Sequence, residues 1–355
     1  MIETSVIVPF HRNLTLLRRV LAPFRDRPGS VEVVIAADGA TEDWRPLADA
    51  CGAGSVVLPV RSGPAAARNR AAEVARGSVL LFVDADVVAA PDVLACVAAA
   101  FEADSGAAAV FGAYDDTPEA TAFVSQYRNL SHRYVHCTTQ REARTFWAGL
   151  GAVRTEAFRR VGGFDESFRR PCVEDIEFGY RLGDAGYRIF VDPGIRGKHL
   201  KRWTFTSSLR SDIWDRGIPW TQLLLRVGSR QTELNLTRRL RLSVVVAYLT
   251  VLLLAAAIVR PAALLLAGGA LVALLALNWP YYCYFARVRG VWFAMRVVPL
   301  HFVHHLCNGL SFVAGFALFH ARRLFRWRLP GSLPSRDESS RAGAGDGSEG
   351  KSVSA

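Results

Sequence analysis

The sequence predicts an α/β catalytic domain of the doubly wound kind, followed by membrane helices. Three observations predict it: short β-branched runs alternate with helical patterns before residue 200, three long uncharged stretches follow residue 241, and the charge balance breaks near residue 196. The 355 residues carry 43 Lys+Arg and 32 Asp+Glu, a formal charge of +11. Residues 1–195 hold 21 basic and 25 acidic side chains, residues 196–328 hold 19 and 3, and residues 329–355 hold 3 and 4. Basicity confined to one segment disfavours a nucleic-acid binder and indicates that the two parts face different surroundings. A chain that is 51% hydrophobic and 21% charged is too apolar to be disordered.

Taken in order, Ser5 to Pro9 (SVIVP), Val31 to Ala37 (VEVVIAA) and Ser78 to Val83 (SVLLFV) read as near-continuous apolar strands, the pattern of a parallel sheet covered on both faces. Helical patterns lie at about 13 to 25, 64 to 76 and 91 to 104, two of them opened by Pro64 and Pro91. In such sheets ligands bind at the carboxyl ends of the strands. The residues there are acidic: Asp38-Gly39 after the second strand and Asp84-Ala85-Asp86 after the third. A DxD pair at a strand end suits a divalent cation bridging phosphate oxygens, whereas DxD alone is equally a solvated turn. Gly63-Pro64 opens a helix carrying Arg68 and Arg70, either a phosphate contact or a basic surface face. No GxGxxG or GxxxxGK[ST] occurs at these positions, which removes dinucleotide and P-loop readings. Further on, Gly162-Gly163-Phe164-Asp165 makes a turn and Glu174-Asp175-Ile176-Glu177 begins a helix. Glu177 and Arg181 form an ordinary i, i+4 pair, while Asp175, fixed beside an acidic neighbour, is the candidate general base.

The VIVP strand, Asp38-Gly39, the ARN at Ala67 to Asn69, the DAD at 84 to 86, GGFDE at 162 to 166 and EDxExxxR at 174 to 181, in this order, resemble the inverting family 2 glycosyltransferases of GT-A fold. The resemblance implies that Pro9, Phe10 and Asp38 border the nucleotide base and that Arg68 approaches the diphosphate. It further implies Asp84 at the ribose, Asp86 at a Mn²⁺ or Mg²⁺ ion, and Asp175 as acceptor of the proton. Glu174, Trp147, Arg202 and Trp203 are expected in acceptor and active-site loops. His199-Leu-Lys-Arg202-Trp203 resembles the Q/RxxRW element of processive polysaccharide synthases with His in the leading place; His199 either completes the metal site or is a neutral loop histidine. Departures are Phe10-His11 for the usual Tyr-Asn, Ala37-Asp38 for the usual double Asp, and Ala71 for a frequent Gly, which leaves uracil and guanine both open.

Residues 1–202 are thus expected to form the catalytic domain, and 203–241 amphipathic interfacial helices, with aromatic and aliphatic residues interleaved with Arg210, Arg216 and Arg226. Leu242 to Val259 is an uncharged run of 18 residues. At 1.5 Å per residue it covers ~27 Å, close to a ~30 Å hydrocarbon core. A second stretch runs to Ala286 and ends in Trp279, Tyr281, Tyr282 and Tyr284, an aromatic belt, so 242–286 reads as a transmembrane hairpin. Arginines 238, 239, 241, 287 and 289 place both open ends, and the catalytic domain, in the cytoplasm of a multi-pass inner or plasma membrane protein, and no signal segment opens the chain. Residues 287–328 include a third uncharged stretch, Val297 to Phe319, interrupted by Pro299 and by His301, His304, His305 and Asn308. It reads as a re-entrant or interfacial helix in preference to a third span. Residues 329–355 are expected to be disordered. Six scattered cysteines suggest neither disulfides nor a thiolate zinc site.

The expected function is metal-assisted, inverting transfer from a UDP- or GDP-type sugar to a membrane-borne or lipid-linked acceptor, in contact with anionic lipid and without nucleic acid. Processive synthases carry more membrane helices than this chain offers, which favours single addition. Two rivals compete: a catalytically inactive GT-A-like binding protein, and a histidine-box di-iron oxygenase suggested by HRYVH at 132–136 and HFVHH at 301–305, whose third box is missing.

Overall fold

The computed structural model describes residues 2–228 and 237–325. The catalytic part runs β1 (Thr4–Phe10), α1 (Leu14–Leu21), β2 (Val31–Asp38), α2 (Arg45–Ala50), β3 (Gly54–Leu58), α3 (Pro64–Val74), β4 (Val79–Val83), β5 (Val87–Ala89), α4 (Val93–Ala103), β6 (Ala107–Tyr114), α5 (Phe123–Thr138), β7 (Glu142–Ala143), β8 (Leu150–Arg154), α6 (Thr155–Arg160), α7 (Glu174–Asp184) and β9 (Arg188–His199). The strands form one sheet in the order β3-β2-β1-β4-β8-β6-β9-β5, with β7 paired to β9. The three expected strands are β1, β2 and β4, and with β3 they are parallel. The sheet is mixed beyond them, because β8 inserts antiparallel between β4 and β6.

Local chemistry accounts for these elements. All eight residues of β6, AAAVFGAY, are buried, as a strand covered on both faces requires. Helix α3 buries Ala65, Ala67, Ala71 and Ala72, and these short side chains let it lie close over β1 and β2. It starts at Gly63, where φ is +102° and a Cβ would sit 2.6 Å from the Arg169 carbonyl oxygen, so only glycine fits. The ends of β2 and β4 and the start of α7 therefore converge on one side of the sheet.

The remainder is helical: α8 (Phe205–Arg210), a π-helical turn (Ser211–Gly217), α9 (Ile218–Val227), α10 (Arg238–Ala256), α11 (Ala263–Leu277), α12 (Trp279–Arg289) and α13 (Val291–Phe325). α10 and residues Val291–Leu324 of α13 are each long and apolar enough to cross a membrane, and α11 with α12, bent by 63°, passes the same test as a pair. α10 and α11 pack together and, with the turn between them, leave Leu252, Ile258 and Leu265 exposed, an apolar surface that suits a lipid environment. Two expectations are corrected. The aromatic belt is not displayed as a set: only Trp279 is exposed, whereas the bend at Asn278 turns Tyr281, Tyr282 and Phe285 into a buried cluster with Tyr127 and Leu130 of α5. Residues Val291–Phe325 form one continuous helix, with Pro299 inside it, so the re-entrant form is removed for want of a chain reversal, and the interfacial and spanning forms both remain compatible with the helix. The tail expected to be disordered lies outside the described residues.

The collar formed by α8, the π turn and α9 packs along α13, with Gly217 against Ser311 and Gly315 against Thr221 at distances that admit no larger side chain. Beside this seam, buried Asp212 of the π turn joins Arg128 of α5 and His304 of α13. Burial alone would raise its carboxyl, but the His304 and Arg128 charges and hydrogen bonds override it and hold Asp212 below the usual carboxylate range. A depressed carboxyl contributes stability that is complete above its unfolded value and is lost as pH falls through the folded one. Asp212→Ala strands the Arg128 guanidinium, whose side chain is 10% exposed. We expect a loss of about 3 kcal/mol or more near neutrality, read as a lower thermal midpoint of the detergent-solubilised protein, with a deficit that shrinks in acid.

Candidate active site

Four carboxylates meet around one guanidinium. Asp84, directly after β4, and Glu174, at the start of α7, bind the two terminal nitrogens of Arg68 from α3: Nη2 to Asp84 Oδ1 at 2.6 Å and Nη1 to Glu174 Oε1 at 3.0 Å. Arg68 is 4% exposed and lies over the Phe164 ring, so its charge is committed inside the protein. Asp86 and Asp175 complete the group. Burial pushes Asp175 up to about 7, with the Glu174 charge adding to the rise and Arg68 and the Ala148 N–H opposing it. Its oxygens accept from Ile176 N–H at 2.8 Å and Ala148 N–H at 3.3 Å, which fixes the carboxylate at the helix start. A carboxyl near 7 is matched to proton transfer at neutral pH.

Asp86 lies 3.5 Å from His199 Nε2 at the end of β9. The other ring nitrogen of His199 bonds Asn129 Oδ1, and the ring stacks on Tyr114 at 4.3 Å with 5° between planes. With Nδ1 as donor to the Asn129 oxygen, Nε2 presents its lone pair towards Asp86, the arrangement that orients a metal-binding histidine. Among the described residues there is no group of three or more His, Cys, Asp or Glu able to hold a metal. Two protein donors suit Mn²⁺ or Mg²⁺ held jointly with phosphate oxygens and water, so the donor set fits an ion bound with a diphosphate better than a resident metal. The same finding leaves the two histidine boxes without a metal cluster. His132 and His136 instead pack on Trp147 in the cleft wall, where burial lowers both and brings His136 to about 4.

The remaining residues divide by what they touch. Asp38 is buried, and its oxygens accept from Ser62 N–H at 2.6 Å and Gly63 N–H at 2.9 Å, so it braces the entry to α3. Pro9, Phe10, Asp38, Trp147 and Trp203 all line the cleft. Arg202 is exposed and outside that wall; Lys201 takes the place in the cleft, its ammonium 4.0 Å above the Trp203 ring. Asn69 bonds both the N–H and the carbonyl of Phe164, and Arg181 bonds Glu177 and the Val161 and Gly163 carbonyls, so these motif residues hold the GGFDE turn. Asn129 and Tyr114 carry no local pattern, and the sequence reading missed them; Arg216 was read only as part of the amphipathic segment and Lys201 only as a spacer in the element that ends in Trp203. The cleft measures about 2070 Å³ and runs from Asp84, Asp86 and Asp175 to α10 and α13, whose Val245 and Phe312 stand in its wall.

Residues 5–168 match the family described as Glycosyl transferase family 2. Residue identity is 28% over 233 residues with validoxylamine A glucosyltransferase of Streptomyces hygroscopicus subsp. limoneus, covering 55% of this chain and 51% of that protein. It is 34% over 204 residues with the succinoglycan biosynthesis protein ExoA of Rhizobium meliloti (strain 1021), covering 53% and 60%. The chain thus spans about half the length of the curated relatives it matches. The mannosyltransferase PcManGT from Pyrobaculum calidifontis, solved with GDP-Man and Mn²⁺, superposes with a TM-score of 0.53 at 19% identity, covering 88% of this chain and 87% of that one. Residues 5–168 thus match the family 2 glycosyltransferases, and the fold is the GT-A fold of the mannosyltransferase.

Arg68→Met leaves part-buried Asp84 and buried Glu174 without their counter-charge, and removes the interaction that opposes the rise of the Asp84 carboxyl in the folded protein. Groups raised on folding lose stability as pH rises, so the variant's thermal midpoint falls further below that of the parent at pH 8 than at pH 5. We expect a deficit of about 3 kcal/mol at the higher pH.

Proposed function

We propose that this chain transfers a sugar, with inversion, from a UDP- or GDP-type sugar to a membrane-borne or lipid-linked acceptor, its catalytic domain facing the cytoplasm. The observation that carries the reading is the single cleft that joins the catalytic carboxylates to α10 and α13. A water-soluble acceptor would need no such path. The names of the relatives, a glucosyltransferase and a polysaccharide biosynthesis protein, support a hexosyl transfer in the building of an envelope polysaccharide or glycolipid.

In this reading the base lies against Pro9, Phe10 and Asp38, and the ribose near Asp84. Asp86 and His199 would hold Mn²⁺ or Mg²⁺, which when bound neutralises charge on the departing diphosphate. The acceptor hydroxyl oxygen forms a bond to the anomeric carbon while the bond from that carbon to the β-phosphate oxygen breaks. The nucleoside diphosphate leaves with that electron pair, and Asp175 takes the hydroxyl proton. The Ala148 and Ile176 amides keep its carboxylate aimed, and Glu174 keeps it basic. His132, His136 and Trp147 supply a neutral wall that does not compete for the proton.

Nucleotide release from a panel of UDP- and GDP-sugars, with Mn²⁺ and membrane lipid extract, tests the assignment. Asp175→Asn is expected to cut transfer about 100- to 10,000-fold. Near-normal transfer would show that the acceptor oxygen arrives already ionised and that Asp175 is not the base. Because the working form is the carboxylate, kcat/KM should rise with pH and level off above about 7, and the acid limb should vanish in Asp175→Asn. Asp86→Ala should lose the Mn²⁺ dependence; unchanged activity would remove the metal site.

A further inference from the structure

A second charged zone lies in the cleft beyond the catalytic carboxylates. Between Asp175 and the apolar faces of α10 and α13, the wall carries the guanidinium groups of Arg128, Arg210, Arg216, Arg239 and Arg241 against only two carboxylates, Asp212 and Asp215. Asp212 is taken by Arg128 and His304. Among the described residues, Arg210, Arg216 and Arg239 have no carboxylate within 4 Å. The π turn explains part of this. Asp212 and Arg216 are four residues apart and would pair on a regular α-helix, yet in the turn Asp212 faces Arg128 and His304 while Arg216 faces the cleft. Its charge reaches the centre, opposing protonation of His132 and His136 and favouring the carboxylate of Asp175.

The donor does not account for this belt. Arg12, Arg61, Arg169 and Arg170 already line the cleft from the loops after β1 and β3 and before α7. Beyond the belt the wall becomes apolar, through Leu224, Leu225, Val244, Val245 and Phe312, and both Val245 (63%) and Phe312 (56%) are open to the surroundings. A ligand matching this order has a nucleophilic end at Asp175, a doubly or more highly charged anion next to it, and a hydrocarbon chain leaving between α10 and α13. We propose that Arg210, Arg216 and Arg239 form a subsite for the phosphate or diphosphate of a lipid acceptor. The inference rests on the proposed transfer to a membrane acceptor and names its chemical class.

The test is direct binding to the full-length protein in detergent, read by calorimetry, with farnesyl diphosphate as probe and farnesol, inorganic pyrophosphate and phosphatidylglycerol nanodiscs as comparison arms. Arg216→Gln/Arg239→Gln is the variant, and both side chains are exposed, so the fold should survive, as its thermal midpoint will report. The expected result is binding of farnesyl diphosphate that weakens at least tenfold in the variant, with nucleoside diphosphate affinity changed less than twofold. Equal binding by parent and variant, or farnesol binding as tightly as the diphosphate, would overturn the subsite. Pyrophosphate alone binding as tightly would assign the belt to a free diphosphate, and phosphatidylglycerol competing equally would assign it to bulk anionic lipid; either result also overturns the proposal. Loss of farnesyl diphosphate binding with sugar transfer intact would count against the subsite alone, whereas retained binding without transfer from any donor would count against the proposed reaction.

Discussion

Arg68 is the constraint on which the catalytic centre depends. One guanidinium, almost fully buried, ties the end of β4 to the start of α7 through Asp84 and Glu174, and its field also reaches Asp175. Without it, four carboxylates from segments 90 residues apart would repel one another across a poorly solvated space. With it, the charges are uneven. Asp84 and Glu174 are neutralised, Asp86 stays acidic beside His199, and Asp175 is left at a proton affinity suited to catalysis. The arginine that the resemblance places near a diphosphate lies in the cleft wall and is paired with two carboxylates in this structure.

Other cationic groups line the cleft from two directions. Loop arginines surround the donor end, and the collar adds Arg210 and Arg216 from the opposite side, positioned by a π turn that Asp212 pins to α5 and α13. The collar does more than present charge. It packs on α13 through Gly217 and Gly315, closes one flank of the cleft, and couples the position of the helical part to the electrostatics at Asp175.

The legible part of the sequence was what local pattern encodes. β1, β2 and β4 are continuous apolar runs, and Asp38, Asp84 and Asp86 follow from standing at their ends. The antiparallel insertion of β8 was not legible, because strand pairing is set by contacts between distant segments, and LGAVR carries no mark of its partner. Asn129 and Tyr114 were missed for the same reason, and Lys201 and Arg216 were legible only as members of their own segments: each stands in the cleft only where α5, β6, β9 and the collar converge. Arg202 shows the converse. Its motif neighbours Lys201 and Trp203 line the cleft, whereas Arg202, between them, does not. The aromatic cluster at 279–284 looked like a membrane girdle because composition does not record a 63° bend.

The central claim is that the acidic centre works on a substrate arriving along the cleft from α10 and α13. The direct measurement is the phase in which the transferred sugar appears. Full-length protein in nanodiscs made with membrane lipid extract, supplied with radiolabelled UDP- or GDP-sugars and Mn²⁺, should move label into the butanol-soluble fraction, dependent on Asp175 and on the lipid extract. Label found only in water-soluble products, or nucleotide released at the same rate without lipid, would contradict the account.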